Sequence, residues 1–204
     1  HHRRLAERPR PVESSLLDCR RRVSSNAQST DKCMAQPPVF ARNNVAFNDS
    51  APSVPIDLVA AMVPGSFPGR DGFIAFYAAH NGGYFDGGAV FYRNAFYEAA
   101  SDEFNRLELE AFHYIEAPHM PANPRLVSMG EVMKWRRDHH PEARAFLEFH
   151  IPFAGDCGDN DYWIDLRTGA VKFTVSWDGI RANEAIPVAP DFLAFCANIQ
   201  RRSL

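Results

Sequence analysis

The densest group of oxygen ligands in this sequence lies in a short polar run at positions 156–161. The run contains Asp156, Asp159, Asn160 and Asp161, and carboxylate and amide oxygens are the ligands that Ca²⁺ takes in sets of about six to eight. The spacing differs from that of a helix–loop–helix calcium site, because Gly158 would take its third ligand position. We therefore interpret the run as a solvated turn between two strands and predict no metal site.

Histidines are the next candidates for acid–base chemistry or metal binding. Those beyond residue 33 are His80, His113, His119, His139, His140 and His150. None belongs to an H-E-x-x-H motif, and the adjacent His139 and His140 would point about 100° apart on a helix. We interpret His113 and His150 as strand residues. A hydrolase that uses the acidic run with His119, His139 or His150 stays open as an alternative.

Nucleophiles for covalent catalysis are scarce in recognisable settings. The sequence contains neither the G-x-S-x-G motif of hydrolases nor a phosphate-binding loop that ends in Lys and Ser or Thr. Cys157 stands beside acidic residues, which disfavour its thiolate. The four cysteines form no C-x-x-C pair, so we expect reduced thiols. We predict that the chain is not an enzyme and uses no cofactor.

Alternating apolar residues on both sides of the acidic run predict that it connects two strands. A tight turn at Thr168-Gly169 precedes a third strand of the same kind. The alternating residues are Phe149, Ile151 and Phe153, then Tyr162, Ile164 and Leu166, then Val171, Phe173 and Val175. Two more strand candidates lie at residues 89–92 and 107–115. The pattern predicts a meander of antiparallel strands.

Helical spacing occurs before, between and after these strands. Ser53 is predicted to cap a first helix, and the Asn81-Gly82-Gly83 run to end a second. Ser128 and Glu131 form a capping box for a third helix, which Pro141 interrupts or restarts. A closing helix carries Phe192, Phe195, Cys196 and Ile199, with Arg201 and Arg202 expected to complement its C-terminal dipole. Together with the strands, these helices predict an α+β domain.

Composition and charge define the class of protein. The 204 residues are 46% hydrophobic and include sixteen Phe, enough for one buried core. Residues 1–33 carry a net charge of +4, whereas the rest of the chain carries −7. An acidic domain argues against nucleic acid and for a basic partner. Because no apolar stretch is long enough to span a membrane and no secretory signal is evident, we predict a cytoplasmic protein without membrane contact.

The first part of the chain differs from the rest in composition. Residues 1–33 are rich in Arg and Ser and show no apolar period, so we predict a disordered basic tail, followed by a Pro-rich arm that ends at residue 52. A transit peptide stays open as an alternative, and Met34 could be another translation start. We therefore divide the chain into a tail and arm at 1–52 and an α+β domain at 53–204.

Four segments, in this order, resemble the SUKH superfamily, which contains fungal cell-wall-synthesis regulators of the Smi/Knr type and many bacterial immunity proteins. Their order and spacing carry the resemblance, which covers roughly residues 53–200. The segments are Val54-Pro55-Ile56-Asp57 leading to Phe73-Ile74-Ala75-Phe76-Tyr77 and Asn81-Gly82-Gly83; Ile151-Pro152-Phe153-Ala154-Gly155-Asp156; Asn160-Asp161-Tyr162-Trp163-Ile164-Asp165-Leu166 with Thr168-Gly169; and Val188-Ala189-Pro190-Asp191-Phe192-Leu193-Ala194-Phe195.

The resemblance implies a central mixed, largely antiparallel sheet flanked by helices, and a function in protein binding. Bacterial members neutralise toxins by direct binding, so we expect an immunity protein whose partner is a basic toxin domain. A regulatory interaction domain of the cell-wall-synthesis type stays open as an alternative. We expect Trp163 to be a core residue. For Trp177, a core position and a contact with a partner stay equally open. Our candidate partner contacts are Asp86, Asp156, Asp159, Asp161, Trp177 and Asp178.

Overall fold

The computed structural model describes residues 38–98, 104–175 and 185–203. Within these ranges the chain forms five α-helices and eight strands, which confirms the predicted α+β class. The helices are α1 (Ile56–Met62), α2 (Arg70–Ala79), α3 (Met129–His139), α4 (Arg144–Leu147) and α5 (Phe192–Asn198). The strands are β1 (Ala46–Asn48), β2 (Gly83–Tyr92), β3 (Arg106–Phe112), β4 (His150–Gly155), β5 (Asp161–Asp165), β6 (Val171–Thr174), β7 (Ile186–Ala189) and β8 (Gln200–Arg201).

The strands form one sheet in which neighbours along the chain are mostly neighbours in space. Its order is β1-β2-β3-β4-β5-β6-β7, and β8 pairs with β2 beside β1. All strand pairs among the described residues are antiparallel, as a meander with short connections requires. The predicted meander around the acidic run is therefore confirmed.

Alternation along β5 shows how the sheet divides into two faces. Tyr162 and Ile164 lie in the main hydrophobic core, whereas Trp163 lies in a smaller cluster on the opposite side. We call the side of the main core the first face; α1, α2 and α5 cover it. We call the other side the second face; Val132 of α3 and Phe146 of α4 pack against Trp163 there. Trp163 is fully buried, which confirms its predicted core position.

The first face is closed mainly by aromatic rings. Phe112 of β3 lies at the centre, with ring centroids 5.3 Å from both Phe76 and Phe85 and 5.5 Å from Phe153, in edge-to-face geometry. Each fully buried Phe side chain contributes about 2–3 kcal/mol through removal of apolar surface from water. The many Phe residues of the sequence therefore explain why a single core is sufficient.

The folded domain begins earlier than the predicted boundary at residue 53. A short 3₁₀ helix, Val39–Asn43, places Phe40 in the main core with no exposed surface. The Asn43 side chain donates to the carbonyls of Ala197 and Ile199 at 3.1 and 2.8 Å. The prolines around this segment suggested an extended arm, but burial of Phe40 and pairing of β1 with β2 outweigh that local preference. The predicted tail at 1–33 lies outside the described residues.

The helix boundaries confirm one predicted capping signal and correct two others. Ser128 and Glu131 form the predicted capping box of α3. The N-cap of α1 is Pro55 without a side-chain hydrogen bond, so Ser53 is not its cap. Helix α5 ends at Asn198 with no basic residue in its last turn, so Arg201, which pairs in β8, does not complement its dipole as predicted. None of the helices in the described part of the chain is long and apolar enough to cross a membrane.

Candidate functional site

The second face carries an unusual row of polar side chains beneath α3 and α4. Charged and polar groups at such positions require partners, because burial removes their hydration. The residues that are buried there are His113, Arg136, His150, Asp161, Asp165 and Thr174. They form two separate groups, one on each side of Trp163, whose indole N–H donates to the Thr174 hydroxyl at 2.8 Å.

The first group connects α3 to the loop between β4 and β5. Arg136 donates through Nε to Oδ2 of Asp161 at 2.6 Å and through Nη2 to the carbonyl of Asp159 at 2.6 Å. The Arg136 and Asp161 side chains are only 3% and 6% exposed. We call Arg136, Asp161 and the Asp159 carbonyl the Arg136 clamp. The clamp fixes the acidic loop to the helix through charge-assisted hydrogen bonds, which are stronger than neutral ones.

His113 completes the surroundings of the clamp. Its Nε2 lies 3.8 Å from Oδ1 of Asp161, and neither this nitrogen nor Nη1 of Arg136 has a hydrogen-bond partner among the described residues. Gly155 makes room for the imidazole, since a Cβ there would lie 3.2 Å from Cε1 of His113. A buried nitrogen without a partner costs about 1–3 kcal/mol. The clamp therefore positions the loop at some expense to stability.

The loop itself is ordered by its own hydrogen bonds. Oδ1 of Asp156 accepts from the backbone N–H groups of Gly158 and Asn160 at 2.8 and 3.0 Å, and Oδ2 accepts from Nδ2 of Asn160 at 2.8 Å. Burial raises the pKa of Asp156, and these hydrogen bonds oppose the increase. Asp159 has a left-handed backbone with a φ of 59°. Its side chain is exposed, and its carboxylate makes no hydrogen bond or ion pair within the described ranges.

Next to the clamp, α3 presents a tryptophan to solvent. Trp135 is 46% exposed, and its ring stacks on His139 with centroids 4.7 Å apart and planes 22° apart. Cζ of Arg136 lies 4.6 Å from the centroid of the Trp135 ring, a cation–π distance. The same guanidinium binds the carbonyl of Asp159. One guanidinium group therefore separates the exposed ring from the acidic loop.

The second group joins β4, β5 and β6 at the end of β5 opposite to the clamp, and we call it the edge network. Nζ of Lys172 donates to Oδ2 of Asp165 at 2.8 Å and lies 3.0 Å from Nε2 of His150. Arg167 adds bonds to Asp165 from its backbone N–H and from Nε, at 2.9 and 3.2 Å. The side chains of Lys172 and Arg167 are 20% and 56% exposed, so this network reaches solvent.

The edge network fixes the protonation of its two central groups. Burial, together with Lys172, lowers the pKa of His150 to about 4, although the hydrogen bond to the Phe146 carbonyl opposes this decrease. Burial alone would raise the pKa of Asp165, but hydrogen bonds from Arg167 and Lys172 outweigh it and hold that pKa well below its usual range. His150 is thus neutral near pH 7, with Nδ1 donating to Phe146 and Nε2 accepting from Lys172.

These contacts define what the predicted chemical residues do. Both ring nitrogens of His150 are engaged within the protein, and Nδ1 of His139 lies 2.9 Å from the carbonyl of Trp135. Within the described ranges, no three His, Cys, Asp or Glu side chains are arranged to hold a metal ion. The loop does not fit Ca²⁺, because a guanidinium occupies the Asp161 carboxylate and the amide groups of Gly158 and Asn160 surround that of Asp156.

The structure separates the predicted contact residues. Asp156 and Asp159 lie in one loop, and Asp161 lies beneath it, buried in the clamp rather than at the surface. Asp86 is exposed on β2, three strands from β5, or roughly 14 Å at the usual strand spacing. Trp177 and Asp178 lie outside the described residues.

Sequence reasoning missed the two α3 residues of this site. Met129, Val132 and Arg136 form the buried side of the helix, whereas Trp135 lies on its exposed side. A signal was present, since position 136 follows Val132 at the i+4 spacing of a helix face. An arginine at a buried position of this kind indicates a carboxylate opposite it.

The chain matches no protein-family model and no curated protein.

Proposed function

We propose that this chain is a protein-binding module of the SUKH type, an immunity protein that neutralises a bacterial toxin in the cytoplasm by direct contact. The observation that carries the proposal is the exposure of the Asp159 carboxylate on a backbone that the protein holds in place. Its carboxylate is exposed, while its backbone is held by Arg136 and the loop around it by Asp156. A loop whose backbone is fixed before binding loses little conformational entropy when a partner binds.

The charge of the domain supports a basic partner. The sequence from Met34 onward carries a net charge of −7, and complementary charge accelerates encounter and disfavours wrong partners. A nuclease domain, which must itself bind phosphate groups, is a partner of this kind. A toxin that is blocked by occlusion needs no chemistry from its inhibitor, so the requirement is a rigid acidic surface.

The contacts of the histidines also favour a binding function over hydrolysis. A general base must have a nitrogen within reach of a substrate proton. His150 has both nitrogens engaged, and its pKa of about 4 makes it a weak base at neutral pH. His119 is exposed, and no hydrogen bond or ion pair among the described residues joins it to Asp156 or Asp159. The contacts of His150 therefore favour a structural role for this residue.

The loop that carries Asp156 and Asp159 is the proposed centre of the contact surface. Asp161 supports it from beneath through Arg136. Asp86 belongs to the surface only if a partner extends across three strands of the sheet. Trp177 and Asp178 follow β6, which neighbours β5, and stay predicted contacts.

A growth-rescue experiment tests the proposal. The full chain is produced together with the toxin domain encoded beside its gene, and growth is compared with that of cells that produce the toxin alone. We expect rescue by the native chain and weaker rescue by Asp159→Lys. If the native chain restores growth against none of the toxins encoded nearby, the proposed immunity function is wrong. A gene with no toxin beside it would instead favour the regulatory interaction domain.

A further inference from the structure

Trp135 is a large aromatic residue at the surface to which the proposed function assigns no role. The described part of the chain buries most of its large apolar side chains, whereas this ring is left 46% exposed. Tryptophan is enriched among the residues that dominate binding energy at protein interfaces. An exposed Trp is therefore the first position at which to look for a partner.

The ring is held in place before any partner binds. On one side it stacks with His139, whose Nδ1 lies 2.9 Å from the carbonyl of Trp135 itself. Its centroid also lies 5.4 Å from that of His140 and 4.6 Å from Cζ of Arg136. These contacts restrict the side chain to one position, which reduces the entropy lost on binding.

The Arg136 clamp makes the ring and the acidic loop parts of one surface. Its guanidinium contacts the Trp135 ring and donates to the carbonyl of Asp159. The Asp159 carboxylate beyond it is exposed and, within the described ranges, without an ion-pair partner. The Trp135 ring and the backbone of Asp159 are thus held by the same guanidinium, and the Asp159 side chain is exposed on that fixed backbone.

We propose that Trp135 and the Asp159 carboxylate together bind a basic segment of the partner protein through an Arg or Lys side chain. Such a side chain has an apolar stem and a charged end, so its stem packs against the Trp135 ring while its charge reaches Asp159. This inference rests on the proposed function and adds the position of the contact and the chemistry that it recognises. The exposed carboxylate of Asp159 favours this occupant over an acidic one.

Nuclear magnetic resonance with a defined probe tests the inference directly. The ¹⁵N-labelled full chain is titrated with a short peptide of alternating Arg and Gly, and separately with one of alternating Glu and Gly. The indole signal of Trp135 is identified with Trp135→Phe, which removes it. We expect saturable shifts of the Trp135 indole and the Asp159 amide with the Arg peptide, and an unmoved indole signal from the buried Trp163.

Matched variants separate this contact from general attraction to an acidic protein. Asp159→Asn should weaken binding of the Arg peptide by about threefold or more, because it removes the charge and keeps the shape. Asp57→Asn, at an exposed acid on α1 over the first face, should leave the affinity unchanged. Equal effects of both variants, or equal shifts with the Glu peptide, would overturn the inference.

Two further outcomes distinguish this inference from the proposed function. Growth rescue without any shift at Trp135 or Asp159 would keep the immunity function and overturn this contact surface. Arg-peptide binding at this surface without rescue would keep the surface and remove the toxin as its partner.

A dimer in sedimentation equilibrium that Trp135→Ala dissociates would assign the surface to a second copy and overturn the basic partner.

Discussion

The Arg136 clamp and the edge network use similar groups on the same face of the sheet, yet they differ in redundancy. In the clamp, the hydrogen bond that Asp161 accepts from a cation comes from Arg136, and both side chains are almost fully buried. In the edge network, Asp165 has Lys172 and Arg167, and both cations reach solvent. Loss of Arg136 therefore leaves Asp161 as an uncompensated buried charge. Loss of one cation from the edge network leaves Asp165 with the other cation as its partner.

This difference indicates separate roles for the two groups. The edge network joins β4, β5 and β6 within one sheet, so it supports a fold that the strand pairing already defines. The clamp joins α3 to a loop, and this connection gives the proposed contact surface its fixed geometry. A buried ion pair contributes little net stability compared with apolar residues of similar volume. We infer that the clamp is kept for the position of the loop rather than for stability.

Removal of the clamp cation should have the largest effect on stability. Arg136→Met leaves Asp161 buried without its partner, and we expect a loss of about 3–5 kcal/mol in the free energy of unfolding. Chemical denaturation measures the change. The control is Lys134→Met, which removes an exposed i,i+4 pair with Asp138 and should leave the free energy of unfolding nearly unchanged. Similar losses for both variants would contradict the single-partner account of Asp161.

Acid should act on the edge network through His150. Its pKa of about 4 in the folded chain lies below the value of 6.5 of a free histidine, so the unfolded chain binds more protons between these limits. Stability should therefore fall as pH decreases from about 6.5 to about 4, with His150 contributing about 2–3 kcal/mol of the decrease. Asp165 stays ionised throughout this window because its pKa is lowered.

The variant His150→Asn isolates this contribution, because an amide can donate to the Phe146 carbonyl but does not titrate. Denaturation curves at several pH values should show a smaller loss of stability in the variant than in the native chain. An identical pH dependence of the two proteins would show that His150 does not bind its proton more weakly in the folded state.

Removal of one cation from the edge network should have a smaller effect than removal of Arg136. Lys172→Met deletes the hydrogen bonds to Asp165 and His150, but Arg167 still donates to Asp165. We expect a loss of about 1–2 kcal/mol by chemical denaturation. A loss as large as that of Arg136→Met would remove the contrast in redundancy between the two groups.

Truncation of the exposed tryptophan should have the smallest effect on the fold. Trp135→Ala removes a half-exposed ring from α3, so we expect a change of at most about 0.5–1 kcal/mol in the free energy of unfolding. Thermal unfolding followed by circular dichroism measures this change. A large destabilisation would assign the ring a packing role and weaken its assignment to a binding surface.

Much of the fold was predictable because its signals are local. Alternation at Tyr162 and Ile164 predicted β5, and the Ser128 and Glu131 pair predicted the start of α3. The 3₁₀ helix around Phe40 was not predictable in the same way. Its prolines favour extended chain, and only contacts with residues far along the sequence place it in the core. Strand β8 is equally dependent on distant pairing with β2.

The candidate site was predictable only in part for the same reason. The acidic run identified the loop, since its residues are adjacent in sequence. The burial of Asp161 depends on Arg136, which lies 25 residues away on another element. Nothing in the sequence indicated that Trp135 is exposed, because tryptophan is on average a highly buried residue type. The charge pattern identified the acidic loop, but the structure was needed to show that Asp159 is exposed whereas Asp161 is buried.

The most direct test of the central claim is the affinity of the purified full chain for the toxin domain encoded beside its gene. Titration calorimetry at about 50 and about 300 mM salt compares the native chain, Asp159→Asn and Asp57→Asn. The account predicts that binding weakens with salt, that Asp159→Asn weakens it by about tenfold, and that Asp57→Asn leaves it unchanged. Absence of binding, or equal affinity of all three proteins, would contradict it.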